Sequence, residues 1–167
     1  MPDRLTRDAV IARIAEAQRR SRGAAPGHGA LLSGAHLHGV SLAGLNLARA
    51  SLQGADLAGA DLRHVCLQGA YLQHADLRGA NLAGADLAGA NFQRAKLTDA
   101  DLTDAQLDGT NFSQASLDGT NLSGTQLGRA YLGIRDIDRA TTATGPFTPP
   151  WRYSNQTREP DRDATPG

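Results

Sequence analysis

A large apolar side chain recurs at every fifth position from Leu32 to Leu132, with no insertion or deletion in twenty-one consecutive units. Nineteen of these side chains are Leu and two are Phe, Phe92 and Phe112. Two residues earlier in each unit stands a small side chain: Ala in fifteen units, Thr in three (Thr110, Thr120, Thr125), Val40, Val65 and, once, the larger Leu45. A fixed period of this kind marks a chain of modules that bury their apolar side only by stacking on neighbours. The period itself excludes the two ordinary elements. Five residues of α-helix turn the chain by about 500°, so successive Leu would point all around the cylinder. On a continuous strand the small residue and the Leu share a face, but the three-residue step to the next small residue reverses it. What survives is a very short strand with two inward side chains, then a corner, repeated so that the chain bends the same way each time. The corner position, two after the Leu, is Gly in twelve units, the residue that most readily adopts unusual backbone angles.

Units such as Ala55-Asp56-Leu57-Ala58-Gly59, Ala80-Asn81-Leu82-Ala83-Gly84 and Ala85-Asp86-Leu87-Ala88-Gly89 resemble the A(D/N)LxX signature of the pentapeptide-repeat family, over roughly two thirds of the chain. The resemblance implies an all-β fold: a right-handed quadrilateral parallel β-helix, a solenoid with four units to a coil, the Leu and the small residue inside and the other three positions outside. Residues twenty apart then become vertical neighbours, which places Phe92 against Phe112 and Leu45 against Val65. With strands ~4.8 Å apart, about five coils make a rod on the order of 25 Å tall. Each buried Leu contributes roughly 1.5–3 kcal/mol, a sufficient core without disulfide or metal.

The flanks read differently, giving a division into a helix at 1–22, a joint at 23–29, the repeats at 30–134 and a C-terminal segment at 135–167. The first segment has no Gly or Pro between Asp3 and Arg20, and Leu5, Val10, Ile11, Ile14 and Ala17 fall near helical spacing. It is expected to form an amphipathic helix of net charge +3 that caps the open edge of the first coil, an edge that would otherwise recruit another strand. After Leu132 the pattern decays, and Arg135 stands where a small inward residue belongs. The remaining tail is rich in Pro, Thr and charge and is expected to be extended. Within it, Phe147-Thr148-Pro149-Pro150-Trp151-Arg152-Tyr153 places three of the protein's seven aromatics in one stretch. Those side chains, Phe147, Trp151 and Tyr153, either fold back over the last coil or present a Pro-rich recognition strand to another chain, possibilities the sequence leaves open.

Composition narrows the functional classes. The chain of 167 residues is 40% apolar and 20% charged with a formal net charge of zero, which speaks for one domain with tails and against direct nucleic-acid binding. One cysteine, Cys66, rules out an intramolecular disulfide framework. With no long apolar span and no apolar signal-like segment at the N-terminus, a cytoplasmic protein away from membranes is expected. The five His, at 28, 36, 38, 64 and 74, do not converge as a metal site would require, and no nucleotide loop, nucleophile elbow or calcium repeat is present. An uninterrupted rod offers flat walls rather than the concave pocket catalysis needs, so neither an enzyme nor a cofactor is expected. Cys66, Tyr71 and Tyr131 fall at outward positions.

The outward charge is uneven. Residues 97–128 carry Asp99, Asp101, Asp104, Asp108 and Asp118 with no Lys or Arg. Asp101 stands at the signature position before the Leu, but the other four do not, which makes this section a candidate protein-binding surface. A protein-interaction or scaffold module is the reading that follows, with an unidentified protein partner and a homodimer through an end coil as a further possibility. The alternative is a B-DNA mimic that binds a topoisomerase such as gyrase, as the quinolone-resistance members of the resembled family do. B-DNA carries one charge per ~1.7 Å, hence about fifteen over this height. Here the repeat block has nine Asp against six Lys and Arg, a net of −3.

Overall fold

The computed structural model describes residues 5–21, 29–125 and 129–132, together with the backbone of 141–142 and 145–146. From Leu31 to Tyr131 every isolated bridge is parallel and joins residues twenty apart, beginning Leu31 to Ser51, His36 to Asp56, Ser41 to Asp61 and Asn46 to Cys66. Four five-residue units therefore make one coil, and the rod has four walls. The backbone amides show how each unit is held. Leu32 N donates to Ser51 O at 2.8 Å, Gly34 N to Gln53 O at 2.9 Å and Ser51 N to Ala30 O at 3.0 Å, while Ala35 N closes the corner on Leu32 O at 3.0 Å. This pattern repeats along the rod, so coil-to-coil bonds rather than sequence-local ones hold the fold.

The inward positions form a single core. Leu37, Leu57, Leu77 and Leu97 in one wall, and Leu42, Leu62, Leu82 and Leu102 in the next, are at most 1% exposed. Phe92 and Phe112 stack with ring centroids 5.2 Å apart and planes 21° apart, as the twenty-residue coil requires, and neighbouring aromatic rings at that separation attract beyond their buried area. Val65 is fully buried, whereas Leu45 in the same wall is only partly so, packed against the core. The two buried Thr do not leave a polar atom stranded. Thr110 Oγ1 donates to Leu87 O and Thr120 Oγ1 to Leu97 O, both at 2.8 Å, which explains how a hydroxyl is accepted at the small inward position.

Each corner from Gly34 to Gly124 has a residue with positive φ at its third position, the geometry of a type II turn. Gly fills most of these positions, but Arg49, His64, His74, Arg94, Asp99, Asp104 and Gln114 adopt φ between 54° and 62°. The corners thus accept a side chain even where the sequence pattern favours Gly.

A helix, α1, spans Arg7–Ser21 and begins at Thr6, whose Oγ1 accepts from Ala9 N at 3.3 Å, a Ser/Thr N-cap. Arg19 and Arg20 in its last turn pair with Glu16 at 3.1 and 2.9 Å. Val10 is completely buried, and Leu5 and Ile14 pack on the same core. The first coil's outward carbonyls meet donors from this segment: Leu5 N on His36 O at 2.9 Å, Arg7 on Ser41 O and Ala43 O at 2.8 and 3.1 Å, and Arg13 on Leu31 O at 3.1 Å. Past the rod, β1 (Thr141–Thr142) pairs antiparallel with β2 (Gly145–Pro146). Residues 23–28 of the expected joint 23–29 and the aromatics Phe147, Trp151 and Tyr153 lie outside the described residues.

Candidate functional site

The outward side chains divide into four walls of different chemistry. Wall A carries the column Leu31, Ser51, Tyr71, Asn91, Asn111 and Tyr131; wall B the column from His36 to Ser116; wall C that from Ser41 to Asn121; wall D that from Asn46 to Gln106. Where the residue before the inward Leu is Asp or Asn, it has a structural task. It stands beside the one amide of each unit that the ladder leaves unused, two residues on, and its Oδ1 accepts that N–H: Asn46 from Ala48, Asp86 from Ala88, Asn91 from Gln93 and Asn121 from Ser123, at 2.9–3.1 Å. The Asp/Asn preference is thus a backbone requirement, the Asx-type closure of a turn.

Of the five candidate acidic residues, Asp101 belongs to this set, accepting from Thr103 N at 3.0 Å and from Thr103 Oγ1 at 2.5 Å. Asp99 and Asp104 occupy corners at φ 58° and 56°. Each leans over the glycine one coil on, since a Cβ added at Gly119 or Gly124 would run into its Oδ1. Asp118 is half-buried on wall B, and its carbonyl accepts from Asp99 N at 2.9 Å. Asp108, on wall D, is bonded by Arg129 N at 3.0 Å and faces Arg129 Nε at 4.0 Å. A cation just outside the 97–128 section therefore meets one of its five carboxylates, and the five are spread over three walls. Phe147, Trp151 and Tyr153 are outside the described residues.

Two other carboxylates are strongly engaged. Asp61 takes a two-pronged contact from Arg63, Nε to Oδ1 at 2.8 Å and Nη2 to Oδ2 at 2.9 Å, and a further bond from Ser41 Oγ at 3.2 Å. Asp76 receives Arg78 in the same way and has Lys96 at 3.9 Å. The Arg63 guanidinium first, then its backbone N–H and Ser41, hold the Asp61 carboxyl far below its ordinary value. Arg78 lowers the Asp76 carboxyl below its ordinary value, with Lys96 adding to it. A carboxyl whose pKa is lower folded than unfolded stabilises the fold above its unfolded value, and that contribution is lost as pH falls toward the folded one. Both pairs are substantially solvent-exposed, so solvent screening keeps the contribution of each small. The urea midpoint should fall between about pH 4 and pH 2, and less steeply in a D61N/D76N variant; equal slopes would show that the pairs contribute nothing.

Sequence reading missed the segregation of charge. The units of wall A carry no Asp or Glu and one cation, Arg94 at a corner, and among the described residues the large apolar side chains exposed on the rod, Leu31, Tyr71 and Tyr131, lie in its central column. Walls B, C and D each carry charge. The twenty-residue coil read from the sequence does put Tyr71 and Tyr131 in one outward column. At the corner joining walls D and A, a groove of about 410 Å³ is lined by Arg49, Gly69, Ala70, Tyr71, Gly89 and Asn91. Cys66 is half-buried on wall D as a free thiol. Among the described residues no group of His, Cys, Asp and Glu is placed to hold a metal ion, and no helix is long and apolar enough to cross a membrane.

A family model for pentapeptide repeats matches the chain in eight copies over residues 30–69, 66–104 and 95–133. The chain belongs to the pentapeptide repeat family. Proteins of this family form right-handed quadrilateral β-helices, in agreement with the four-unit coil. No curated protein matches this pentapeptide repeat chain. Among solved structures it is similar to the pentapeptide repeat protein Rfr23 from the cyanobacterium Cyanothece, with 35% identity, 49% of this chain and 56% of that one covered, and a TM-score of 0.49. It is also similar to HetL, a pentapeptide repeat protein involved in heterocyst differentiation regulation from the cyanobacterium Nostoc, with 32% identity, 71% and 66% covered, and a TM-score of 0.38. The fluoroquinolone resistance protein QnrB1 is 19% identical, with 68% of each chain covered and a TM-score of 0.31. The chain spans just over half of Rfr23 and about two thirds of HetL.

Proposed function

We propose that this pentapeptide repeat protein is a non-enzymatic interaction or scaffold module, cytoplasmic and without a cofactor, whose partner is another protein that it contacts through its outer walls. The observation that supports this is the difference among walls that share one backbone: the fold dictates the inside, yet the carboxylates stand on three walls and, among the described residues, the large apolar side chains exposed on the rod stand on the fourth. Candidate contacts on the charged walls are Asp99, Asp101, Asp104, Asp108 and Asp118. In the same reading α1 is a cap, because it supplies donors to carbonyls that no preceding coil satisfies, which leaves the far end coil as the place for any homodimer. The DNA-mimic alternative asks for a charge density that nine Asp against six cations do not supply.

The test is affinity capture with the full chain and with a D99N/D104N/D118N variant, chosen because none of the three side chains serves the Asx closure. Loss of a retained protein in the variant is the expected result; equal capture by both would move the contact off these walls. A gyrase supercoiling assay is expected to show no inhibition, and dose-dependent inhibition abolished by the same variant would favour mimicry instead.

A further inference from the structure

We propose that wall A and the groove beside Tyr71 hold an extended Pro-aromatic segment, and that the occupant is this chain's own residues 147–153. The inference is independent of the reading of the acidic walls. It starts from the groove. Arg49 lies along the corner toward Gly69, whose added Cβ would sit 3.6 Å from Arg49 Cγ, while an added Cβ at Gly89 would meet nothing within 4 Å. Bare backbone on one side, the 47%-exposed ring of Tyr71 on the other and a guanidinium at the end make a slot of about 410 Å³. A second aromatic ring fits such a site, stacking on Tyr71 with Arg49 near its face.

The wall around it selects the kind of chain. Between its corners its side chains are Asn, Gln, Ser, Tyr and Leu, with Arg49, His74 and Arg94 at the corners and no carboxylate; hydrogen-bonding and aromatic groups of this kind are the chemistry of surfaces that bind backbone and rings. From Leu31 to Tyr131 the column rises five coil steps, about 24 Å at ~4.8 Å each. One short strand wide, it presents a few hundred Å², well short of the roughly 800 Å² per partner of a stable protein–protein interface. That excludes a second rod as its natural partner and suits a single extended strand. Seven residues in the conformation that Pro149 and Pro150 impose span about 22 Å, and Pro-rich segments dock on aromatic-lined surfaces in this way.

Chain geometry supplies the occupant. Tyr131 is on wall A in the last described coil, 65% exposed, and the pairing of β1 with β2 reverses the chain immediately before Phe147. The chain from Ala140 through Trp151 has no charged residue, and Arg152 is the one charge of the segment 147–153. Phe147 and Trp151 are about 12 Å apart in an extended chain, close to the three coil steps of about 14 Å between Tyr71 and Tyr131.

Trp151 is the chain's one tryptophan, so its emission and its quenching by acrylamide report its surroundings alone. In the full chain we expect a blue-shifted, shielded indole, unchanged on dilution. Y71S, and separately G89N, should shift the emission to the red and raise quenching several-fold, with the thermal melt of the repeats nearly unmoved. Asn at Gly89 fills the groove at a φ of 66° that Asn tolerates and that other corners of this rod reach with side chains. An indole that is solvent-exposed from the outset overturns the proposal, and so does shielding that neither variant relieves. Shielding relieved by Y131S but not Y71S means the segment covers only the last coil, and shielding lost on dilution means a second copy supplies it; either result also overturns it.

Discussion

Replacing Leu82 by Asp should abolish the cooperative fold of the rod. Leu82 is completely buried, in a wall whose neighbouring coils place the equally enclosed Leu62 and Leu102 above and below it. A carboxylate there finds no partner: the adjacent amides are taken by the coil-to-coil ladder, Leu82 N by Asp101 O at 2.7 Å. Burying an unpaired ionised group costs many kcal/mol, or forces it to neutralise, against a total stability of about 5–15 kcal/mol for an ordinary domain. The milder Leu82→Ala should cost about 2–5 kcal/mol, because neighbouring coils are held in register by their own ladders and close little of the cavity. One residue earlier, Asn81→Asp should cost far less, no more than about 1 kcal/mol, because it sets a third carboxylate between Asp61 and Asp101 but keeps the backbone bond. Its Oδ1 accepts from Ala83 N at 3.0 Å, and Asp101 in the next coil of the same wall makes the equivalent bond. Urea denaturation followed by circular dichroism checks all three. An L82D protein melting with the parent midpoint would overturn the assignment of the inside.

Val10→Asp should have the next largest effect, at least about 2 kcal/mol, and one of a different kind. Val10 has no exposed surface, and around it Leu5 N, Arg7 and Arg13 engage carbonyls of the first coil. Undocking α1 uncovers the end of the apolar column and returns those carbonyls to an open edge, a template for another strand. The expected result is therefore lower stability together with concentration-dependent self-association, measured by light scattering. A destabilised variant that stays at the parent mass at every concentration would mean that α1 packs on the rod without guarding its edge.

Much of this was legible in the chain. The five-residue beat excluded both regular elements and separated inside from outside, because a side chain inside a stacked coil must be apolar whichever unit it belongs to; Leu32 through Leu122 obey it. Helical spacing from Leu5 to Ala17 foretold α1, and Arg7–Ser21 is where it lies. The candidate site was less legible. Asp99 and Asp104 look like free choices in sequence, yet they stand at left-handed corners above Gly119 and Gly124, and Asp108 meets Arg129 across twenty-one residues. Which corner glycines serve φ and which leave room for a neighbour's side chain, as Gly84 does for His64, depends on what lies one coil away.

The sequence by itself determined the period, the core and the helix, since these follow from the apolar character of single residues and their spacing along one chain. Only the tertiary structure decided the chemistry of the surface. A wall is made of residues twenty apart, and neither the carboxylate-free face with Tyr71 and Tyr131 nor the groove between Arg49 and Gly89 exists until four units have closed a coil and brought distant side chains side by side.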